Sequence, residues 1–566
     1  MPPPRDQLPN PDLLERIPLS ARVVLDVGCG TAALAAAYRK RNPRARLLGI
    51  DKDPDLAALA AERLDELATV DVEDDPLPFD LSEGIDCIVY GDILEHLRDP
   101  WAVLTRQAEA LTPHGVIVMC VPNLEHWSFA DRLLRGVWDY EESGLMDDTH
   151  LRWFTLRSMH EGLARRGFVL CDVSPRVFPY DREPAANFTR SLAPALTSLG
   201  ISSDDYLQRA LPLQYVWRIC KAPQQRMMIA GNMLRPVGGV SHVRIVHPLR
   251  AMATDPVVST MITSSVDASS RDDGIARIFI LHRPALNGEE GRRMIRFFQQ
   301  AGWLLVTEFD DHPDFFPVLH DSQQLTFRGV HAVQTSTRAL AAVLRQRNPE
   351  VAVFPNAVVE LPEIRNFADP NVLTMFFGAL NREQDWEPLM DTINDVAAQA
   401  GERLRFSVVY DQGFHDALQT PHKQFTPLCE YDTYMELLGR CEVSLMPLSD
   451  GSFNRAKSDL KFIEAGACRV ASLASDVVYR ETIEEGRTGL LFRDAAELRE
   501  KLTRLVAMPD LARELADNAR DYVSQNRMLA YQVAPRIAWY RSLWARREAL
   551  TTALEERLAA MPEPAL

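Results

Sequence analysis

The nine residues from Val23 to Thr31, which read VVLDVGCGT, constrain the fold of this chain more than any other stretch. Three apolar residues lead into Asp26, glycines follow at Gly28 and Gly30, and a run of small residues typical of a helix begins directly afterwards. This order predicts a buried strand that turns into a helix N-terminus. Glycine leaves the backbone open to a bound group, and free helix N–H groups favour an electron-rich one. We therefore predict a ligand-binding turn.

A pair of glycines is also typical of an ordinary tight turn, so the surrounding sequence has to separate the two interpretations. The next apolar run, ARLLGID, ends at Asp51, which lies 21 positions after Gly30. Nucleotide-binding α/β folds place a carboxylate near this distance, where it binds ribose hydroxyls. A dinucleotide site would need a third glycine, and Ala33 stands at that position.

The composition limits the number of domains and the class of partner. A chain of 566 residues is too long for one hydrophobic core, which predicts three or four domains. Apolar residues at 46% and charged residues at 25% are typical of globular proteins. The formal charge of −17 argues against a general nucleic-acid binder, because phosphate contacts need clustered Lys and Arg.

No stretch has the length and hydrophobicity of a signal peptide or of a membrane-spanning helix, which requires about 20 apolar residues. The eight cysteines are scattered, mostly within apolar runs, and form no CxxC pair. We interpret them as reduced core residues, and we expect a cytoplasmic protein.

Strand-like and helix-like runs alternate through the first 220 residues. Examples are IDCIVYGDI followed by a helical segment from Trp101, and then GVIVMCVPN. This alternation predicts βαβ units with a parallel sheet, whose ligands bind at the carboxyl ends of the strands. The run PLQYVWRIC is predicted to be an antiparallel closing strand, and KAPQQR marks a boundary near residue 222.

The segments LDVGCG and GDILEHLRDP, with acids between them, resemble in order the class I S-adenosylmethionine-dependent methyltransferases over roughly residues 20 to 180. The resemblance implies that the glycines admit the methionine part of the cofactor, that Asp51 binds ribose and that Asp71 meets the adenine edge. It also places Asp92 and Glu95 near the reacting methyl group. The cofactor-binding residues that it implies are Asp26, Gly28, Gly30, Asp51, Asp71, Asp92 and Glu95.

Histidines are candidate general bases for a methyl acceptor that must lose a proton. His150 lies in DDTHLRWFT, which resembles the cap region of methyltransferases found among polysaccharide-biosynthesis enzymes. His96 and His126 are further candidates, and a structural role is the alternative for all three. Arg152 is expected either to steer an anionic acceptor or to pair with a nearby aspartate.

A second series of α/β units begins at Arg226, and the alternation restarts near Asn371. Two successive α/β domains resemble a GT-B glycosyltransferase. The segment from Lys457 to Leu491 is similar to the nucleotide-sugar motif of the family-4-type (group 1) retaining glycosyltransferases. That resemblance implies a nucleotide sugar as the donor substrate.

By this resemblance, Glu464 would bind the ribose, and Lys457 or Arg382 would meet the diphosphate. Gly239, which follows Gly238, fits the approach of a phosphate or sugar, and it fits tight packing nearly as well. His282 follows the strand RIFIL and lies where such enzymes present a histidine to the sugar. A structural histidine at the strand end is the equal alternative.

The second half departs from this family at one position. The family has a glutamate eight positions before the ribose-binding acid, and this chain has Ala456 there. The departure leaves open an altered donor, a sugar contact made by Asn454 or Asp459, or a domain that binds without transfer. We expect no metal, and we interpret Asp310 and Asp311 as solvated acids in a loop.

The sequence thus predicts an α/β protein with an N-terminal Rossmann-like methyltransferase domain followed by two Rossmann-like GT-B lobes and a C-terminal amphipathic helix. The predicted domains are residues 1–222, 223–370, 371–530 and 531–566. The expected function is surface-glycan biosynthesis by a bifunctional enzyme that takes a saccharide or lipid-linked acceptor, in the cytoplasm or peripherally at the inner face of the membrane. The alternatives are an active methyltransferase with a degenerate, glycan-binding GT-B region, and a scaffold with neither activity.

Overall fold

A computed structural model describes residues 8–233, 239–266, 274–321, 323–365 and 369–561. The chain forms two compact units, each with its own cores. The first comprises Met1–Gln225 with Thr254–Val257, and the second comprises Arg226–Ala253 with Val258–Leu566.

The described part of the first unit contains one seven-stranded sheet. Its strands are β1 Val23–Val27, β2 Arg46–Asp51, β3 Glu66–Thr69, β4 Ile85–Gly91, β5 Leu111–Pro122, β6 Val169–Arg176 and β7 Gln214–Cys220. The spatial order is β3-β2-β1-β4-β5-β7-β6. Strands β1 to β5 are parallel, and β7 runs antiparallel to both β5 and β6. The predicted antiparallel strand therefore lies within the sheet, next to its edge strand.

Helices cover this sheet, and the strand order reverses between β1 and β4. The helices are α1 Pro11–Leu14, α2 Ala33–Arg41, α3 Pro54–Ala60, α4 Pro100–Ala108, α5 Trp127–Leu134, α6 Leu156–Ala164, α7 Pro179–Ser198 and α8 Ser203–Ala210. All five residues of β1 are buried, as expected of a central parallel strand covered on both faces. Ligands of such sheets bind outside the carboxyl ends of the strands, at the point where the strand order reverses. In this sheet that point lies between β1 and β4.

The described part of the second unit contains two six-stranded sheets, each with parallel pairing. The strands of the first are β8 Met227–Gly231, β9 Val258–Ile262, β10 Ala276–His282, β11 Leu304–Glu308, β12 Ala332–Thr335 and β13 Val351–Val353. Those of the second are β14 Leu373–Gly378, β15 Leu404–Val409, β16 Lys423–Thr426, β17 Val443–Met446, β18 Ala471–Ser475 and β19 Leu490–Phe492. The order reverses between β8 and β10 and between β14 and β17.

The helices of the second unit flank these sheets. They are α9 His247–Met252, α10 Gly288–Gln300, α11 Pro317–Asp321, α12 Leu325–Arg328, α13 Arg338–Arg345, α14 Glu383–Trp386, α15 Met390–Ala400, α16 Gln412–Ala417, α17 Tyr431–Leu438, α18 Ser452–Arg455, α19 Leu460–Ala467, α20 Asp476–Tyr479, α21 Ala495–Ala507, α22 Pro509–Asn526, α23 Ala530–Ala545 and α24 Arg547–Ala559. A π-helical turn, His242–Val246, precedes α9.

The C-terminal segment consists of two helices, α23 and α24, rather than one continuous amphipathic helix. The backbone of Arg546, between them, leaves the helical region. Leu554 is fully buried in the hydrophobic core of the β8–β13 lobe. The Tyr540 hydroxyl donates to Gln334 Oε1 at 2.6 Å. Both helices therefore pack on this lobe.

No helix in the described ranges is both long and apolar enough to cross a membrane. All eight cysteines are free thiols, and most of them are buried.

Candidate functional site

The turn after β1 is held by the strand beside it. Gly28 and Gly30 have φ values of +72° and +52°, which favour glycine. The N–H of Gly28 donates to the Ile50 carbonyl at 2.8 Å, and that of Gly30 donates to Asp51 Oδ2 at 2.8 Å. A Cβ on Gly28 would lie 2.7 Å from Cδ1 of Ile93, whereas a Cβ on Gly30 would meet nothing within 4 Å. The open side of the turn is therefore at Gly30.

Three acids from the predicted cofactor set lie on or beside strands β1 to β3. Asp26 is buried, and its burial, with Asp51 nearby, raises its pKa to about 7. Asp51 accepts a second hydrogen bond, from the Asp53 N–H to Oδ1 at 2.9 Å. Each carboxylate oxygen keeps a lone pair for a ligand hydroxyl. Asp71 follows β3, is exposed, and accepts from the Glu73 N–H at 2.9 Å.

Asp92 and Glu95 follow β4, across the reversal point from the glycine turn. Asp92 has a left-handed backbone (φ +56°) and accepts from Gln214 Nε2 at 2.6 Å. Burial raises the pKa of Asp92, and burial together with Asp92 raises the pKa of Glu95 well above its usual range. Gln214, contributed by β7, carries no local sequence signal that could have identified it. The side chain of Ile93 connects this segment to Gly28.

Two of the candidate bases lie together, and the third is placed differently. The rings of His96 and His150 are 4.8 Å apart in an edge-to-face arrangement. Burial, and secondarily His96, lowers the pKa of His150. His126 is also buried, but its ring contacts Ser128 (2.8 Å) and Asp181 (3.7 Å). Burial lowers the pKa of His126 to about 4, which favours a neutral structural histidine.

A cavity in the second unit lies at the carboxyl ends of strands from both of its sheets. The residues that line it include Gly239, Arg283, Asp310, Arg382, Tyr431, Lys457 and Glu464. Both lobes contribute, and strand ends at reversal points are the usual ligand positions in such sheets. All four residues that were predicted to bind the nucleotide sugar line this cavity, namely Arg382, Lys457, Glu464 and Gly239.

Glu464 lies on α19 and is buried, with 3% of its surface exposed. The Tyr431 hydroxyl donates to its Oε1 at 2.7 Å. Burial raises the pKa of Glu464 to about 7, while Tyr431 and Lys461 oppose the shift. The ammonium group of Lys461 donates to the Gly378 carbonyl, and burial lowers its pKa to about 8. The carboxyl group of Glu464 thus lines the cavity in a buried position that the hydrogen bond from Tyr431 orients.

Arg382 is fixed by two neighbours. Its Nη1 donates to Asn454 Oδ1 at 3.0 Å and pairs with Asp385 Oδ2 at 3.2 Å. Asn454 in turn donates to Asp385 Oδ1 at 2.9 Å. The guanidinium is therefore oriented at the cavity before any ligand binds.

The interpretation of Asp310 and Asp311 as solvated loop acids is wrong, because cations from distant segments bury and pair them. Arg283 Nε donates to Asp310 Oδ1 at 2.6 Å, and Lys457 Nζ donates to Asp311 Oδ1 at 2.6 Å. Lys457 also lies over the ring of Phe453, 4.1 Å from its centroid. Burial lowers the pKa of Lys457.

Gly239 lies against Tyr431, and His282 is buried at the end of β10. A Cβ on Gly239 would lie 2.5 Å from Cε2 of Tyr431, so glycine allows this ring to pack against the backbone. Gly238 lies outside the described residues. His282 is 1% exposed and is not among the residues that line the cavity. Neither of its ring nitrogens has a hydrogen-bond partner in the described ranges, and burial lowers its pKa to about 4.

Ala456 is buried among apolar residues of the β8–β13 lobe, and it does not line the cavity. The two side chains considered as substitutes for the missing glutamate are engaged elsewhere. Asn454 holds Arg382, and Asp459 Oδ1 accepts from Arg527 Nη2 at 2.7 Å. Among the described cavity residues, the carboxylates are Asp310 and Glu464.

Sequence reasoning missed the aromatic wall of the cavity. Tyr431 stacks on Tyr434 at 6.2 Å, and Tyr434 stacks on Tyr410 at 5.8 Å. It also missed Arg283, whose backbone is left-handed (φ +45°) directly after β10. The tyrosines carry no sequence signal beyond an aromatic pair at helical spacing on α17.

Comparisons with known protein families match both halves of the chain. Residues 6–173 match the model of a methyltransferase domain, and residues 371–508 match the model of glycosyl transferases group 1.

Curated relatives match part of the chain. Trans-aconitate 2-methyltransferase from Afipia carboxidovorans is 33% identical over 131 residues, which is 23% of this chain and 50% of that protein. The Methylobacterium nodulans protein of the same name is 33% identical over 136 residues, covering 23% and 49%. The chain therefore spans about half the length of these relatives.

Among solved structures, Anabaena HepE in complex with UDP and glucose is 15% identical and covers 56% of this chain and 100% of its own, with a TM-score of 0.40. A glycosyltransferase from Rickettsia africae is 13% identical, with coverages of 57% and 99% and a TM-score of 0.40. The plantazolicin methyltransferase BpumL in complex with SAH is 19% identical, with coverages of 36% and 77% and a TM-score of 0.24.

Proposed function

We propose that this chain, which carries a methyltransferase domain followed by a group 1 glycosyltransferase domain, is an enzyme that catalyses two transfers. One moves a methyl group from S-adenosylmethionine to a saccharide-type acceptor. The other moves a sugar from a nucleotide donor to a growing saccharide. The proposal is supported by the positions of the motif residues of each half, which lie near the strand ends where the order of their own sheet reverses.

The first unit supports methyl transfer through its glycine turn. The turn is open at Gly30, its amide is fixed by Asp51, and the Asp92–Glu95 segment lies across the reversal point. We infer that Asp51 binds the ribose hydroxyls and that Asp71, one strand further out, meets the adenine edge. Methyl transfer requires a nucleophile aligned with the sulfonium about 3 Å from the methyl carbon, so positioning supplies much of the rate.

The second unit supports sugar transfer through its charged cavity. Glu464 offers a buried carboxylate to ribose hydroxyls, and Lys457, Arg382 and Arg283 offer positive charge to a diphosphate. Cations that are already oriented stabilise the charge on a leaving phosphate without reorganisation. We infer that the stacked tyrosines accommodate the nucleobase or sugar.

A second candidate for this half is donor binding without transfer. The burial of Ala456 favours it, because no carboxylate occupies the position at which the family places one against the donor sugar. Asp310 is the described cavity carboxylate that could take over that contact.

We further propose that both transfers act on one product of surface-glycan assembly in the cytoplasm, because two transferases on one chain are best used on a shared acceptor. A lipid-linked acceptor would bring the enzyme to the inner face of the membrane.

The donor reaction is tested by release of UDP or GDP from a panel of nucleotide sugars. The wild type should release nucleotide with at least one donor in the presence of a saccharide acceptor, and Glu464→Gln should lose most of this activity. Glu436→Gln, an exposed glutamate on α17, is the matched control. Binding of UDP without release from any donor would favour the second candidate.

The methyl reaction is tested by release of S-adenosylhomocysteine with the same saccharides as acceptors. Asp51→Ala should abolish release, and exposed Asp139→Ala should not. Failure of the wild type to bind S-adenosylmethionine at all would refute the assignment of the first half.

A further inference from the structure

Three side chains that could bind a metal ion meet in the first unit, beside the proposed methyl-transfer site. They are Glu95, His96 and His150, and each offers one ligand atom within 4.8 Å of the others. In the ranges that the structure describes, this is the one group of three or more His, Cys, Asp or Glu side chains with such spacing. Bonds of about 2.0–2.2 Å to a bound ion bring ligand atoms within roughly 4 Å of one another. Small side-chain rotations would therefore bring the three ligand atoms to the spacing of a metal site.

The fold holds these residues together with backbone hydrogen bonds. Glu95 and His96 belong to the short turn Leu94–His96 after β4. The segment that carries His150 is bound to this turn, because the N–H groups of Leu151 and Arg152 donate to the Glu95 carbonyl at 2.8 and 3.0 Å. His150 is consequently held beside Glu95, although 54 residues of sequence separate them.

A neighbouring hydroxyl orients one of the imidazoles. Thr149 Oγ1 lies 2.9 Å from His96 Nδ1, and it is itself 2.5 Å from Asp147 Oδ1. With Nδ1 engaged in this way, Nε2 is the nitrogen of His96 left for a metal ion. A hydrogen-bonded second nitrogen of this kind is the usual support of a metal-binding histidine.

Buried polar atoms in the group lack partners. Glu95 is 1% exposed, and neither of its carboxylate oxygens has a hydrogen-bond partner among the described residues. Nδ1 of the buried His150 also lacks one. Buried carboxylates are ordinarily paired or bound to a metal ion. A cation at this position would satisfy the carboxylate oxygens of Glu95 and the free ring nitrogen of His150.

The donor set selects the kind of cation. One carboxylate and two imidazoles suit divalent first-row transition ions such as Zn²⁺, Mn²⁺, Fe²⁺ and Co²⁺, whereas Mg²⁺ and Ca²⁺ prefer oxygen ligands. Three protein ligands leave at least one coordination position open, as catalytic sites require. Ile93, two residues before Glu95, contacts the Gly28 turn, so the three side chains lie near the proposed cofactor site.

We propose that Glu95, His96 and His150 bind one divalent transition-metal ion, and that an acceptor hydroxyl occupies its open coordination position. The second part rests on the proposed methyl transfer. The coordinated hydroxyl loses its proton to solvent water, because coordination lowers the pKa of bound O–H groups. Its oxygen then forms a bond to the methyl carbon as the carbon–sulfur bond breaks. The products are the methyl ether, S-adenosylhomocysteine and one released proton, with no change of oxidation state.

The test uses full-length protein stripped of metal with a chelator and titrated with Co²⁺, followed by visible absorption and by equilibrium dialysis. Wild type should bind one Co²⁺ per chain, and Zn²⁺ should displace it. Glu95→Gln and His150→Ala should weaken binding by at least tenfold, while exposed His160→Ala on α6 should bind as the wild type does. Wild type without bound Co²⁺ or Zn²⁺, or Glu95→Gln with unchanged affinity and spectrum, would overturn the proposal.

Thermal unfolding separates a lost ligand from a lost fold. Without metal, Glu95→Gln should be at least as stable as the wild type, because it removes an unpaired buried carboxyl group. Added Zn²⁺ should raise the Tm of the wild type and of His160→Ala but not that of Glu95→Gln, and an equal rise in Glu95→Gln would refute the site. Calorimetry with S-adenosylmethionine is run on the same samples. Metal binding without cofactor binding would refute the proposed methyl transfer and leave the metal site standing. Cofactor binding without metal binding would refute the metal site and leave the proposed methyl transfer standing.

Discussion

Glu464 should lower the stability of the ligand-free protein at neutral and alkaline pH, and the substitution Glu464→Gln should remove this effect. In the folded protein, burial raises the pKa of Glu464 from its ordinary value of 4.5 to about 7. Between these two values the folded state keeps the proton and the unfolded state loses it. The free energy of unfolding therefore falls as the pH rises from about 4.5 to about 7, and this contribution is constant above that.

The size of the effect follows from the shift in pKa. At about 1.4 kcal/mol per pH unit, the shift corresponds to roughly 3 kcal/mol lost between pH 4.5 and pH 7. No solvent screening reduces it, because Glu464 is 3% exposed. The neutral amide of Gln keeps an acceptor for the Tyr431 hydroxyl, so the variant should retain the local packing.

The assay is thermal unfolding at pH 5 and pH 8, in buffers matched for ionic strength. The stability of Glu464→Gln relative to the wild type should increase by roughly 2–3 kcal/mol between these pH values, or on the order of 4 °C in Tm. Glu436→Gln should track the wild type at both. Parallel pH profiles for the wild type and Glu464→Gln would show that Glu464 is ionised in the folded protein, which would refute our account of this carboxyl group.

Three further predictions concern the glycine turn, a buried ion pair and the cavity cation. Gly28→Ala should lower Tm more than Gly30→Ala, because its Cβ alone would clash with a neighbouring side chain; equal losses would contradict this geometry. Arg244→Met should cost about 3–5 kcal/mol in unfolding free energy, because it leaves the fully buried Glu308 unpaired. Adding Glu308→Leu should recover most of the loss, and an equally unstable double variant would contradict the explanation. Lys457→Met should weaken UDP binding at least tenfold by calorimetry, and unchanged affinity would exclude a diphosphate contact.

The sequence was sufficient for features that depend on local pattern. A buried apolar run before two glycines predicts β1 and its turn, because the positive φ values at both positions favour glycine. The charged residues Arg382, Lys457 and Glu464 were identified because they accompany a recognisable helix, and they do line one cavity.

The features that sequence reasoning missed or misjudged depend on distant segments. Asp311 looked solvated because its partner, Lys457, lies 146 positions away. Tyr431 gains its role from Glu464 on another helix, and Arg283 becomes a cavity residue only when the two sheets face each other. The interpretation of His150 as a candidate general base likewise did not include Glu95, which only the fold places beside it.

We propose that this one chain contains two separate sites for nucleotide-derived ligands. The most direct measurement is calorimetry of a single full-length preparation, titrated first with S-adenosylmethionine and then with UDP. We expect one equivalent of each to bind, with Asp51→Ala abolishing only the first and Glu464→Gln only the second. A wild type that binds neither ligand, or variants that lose both or neither, would contradict the account.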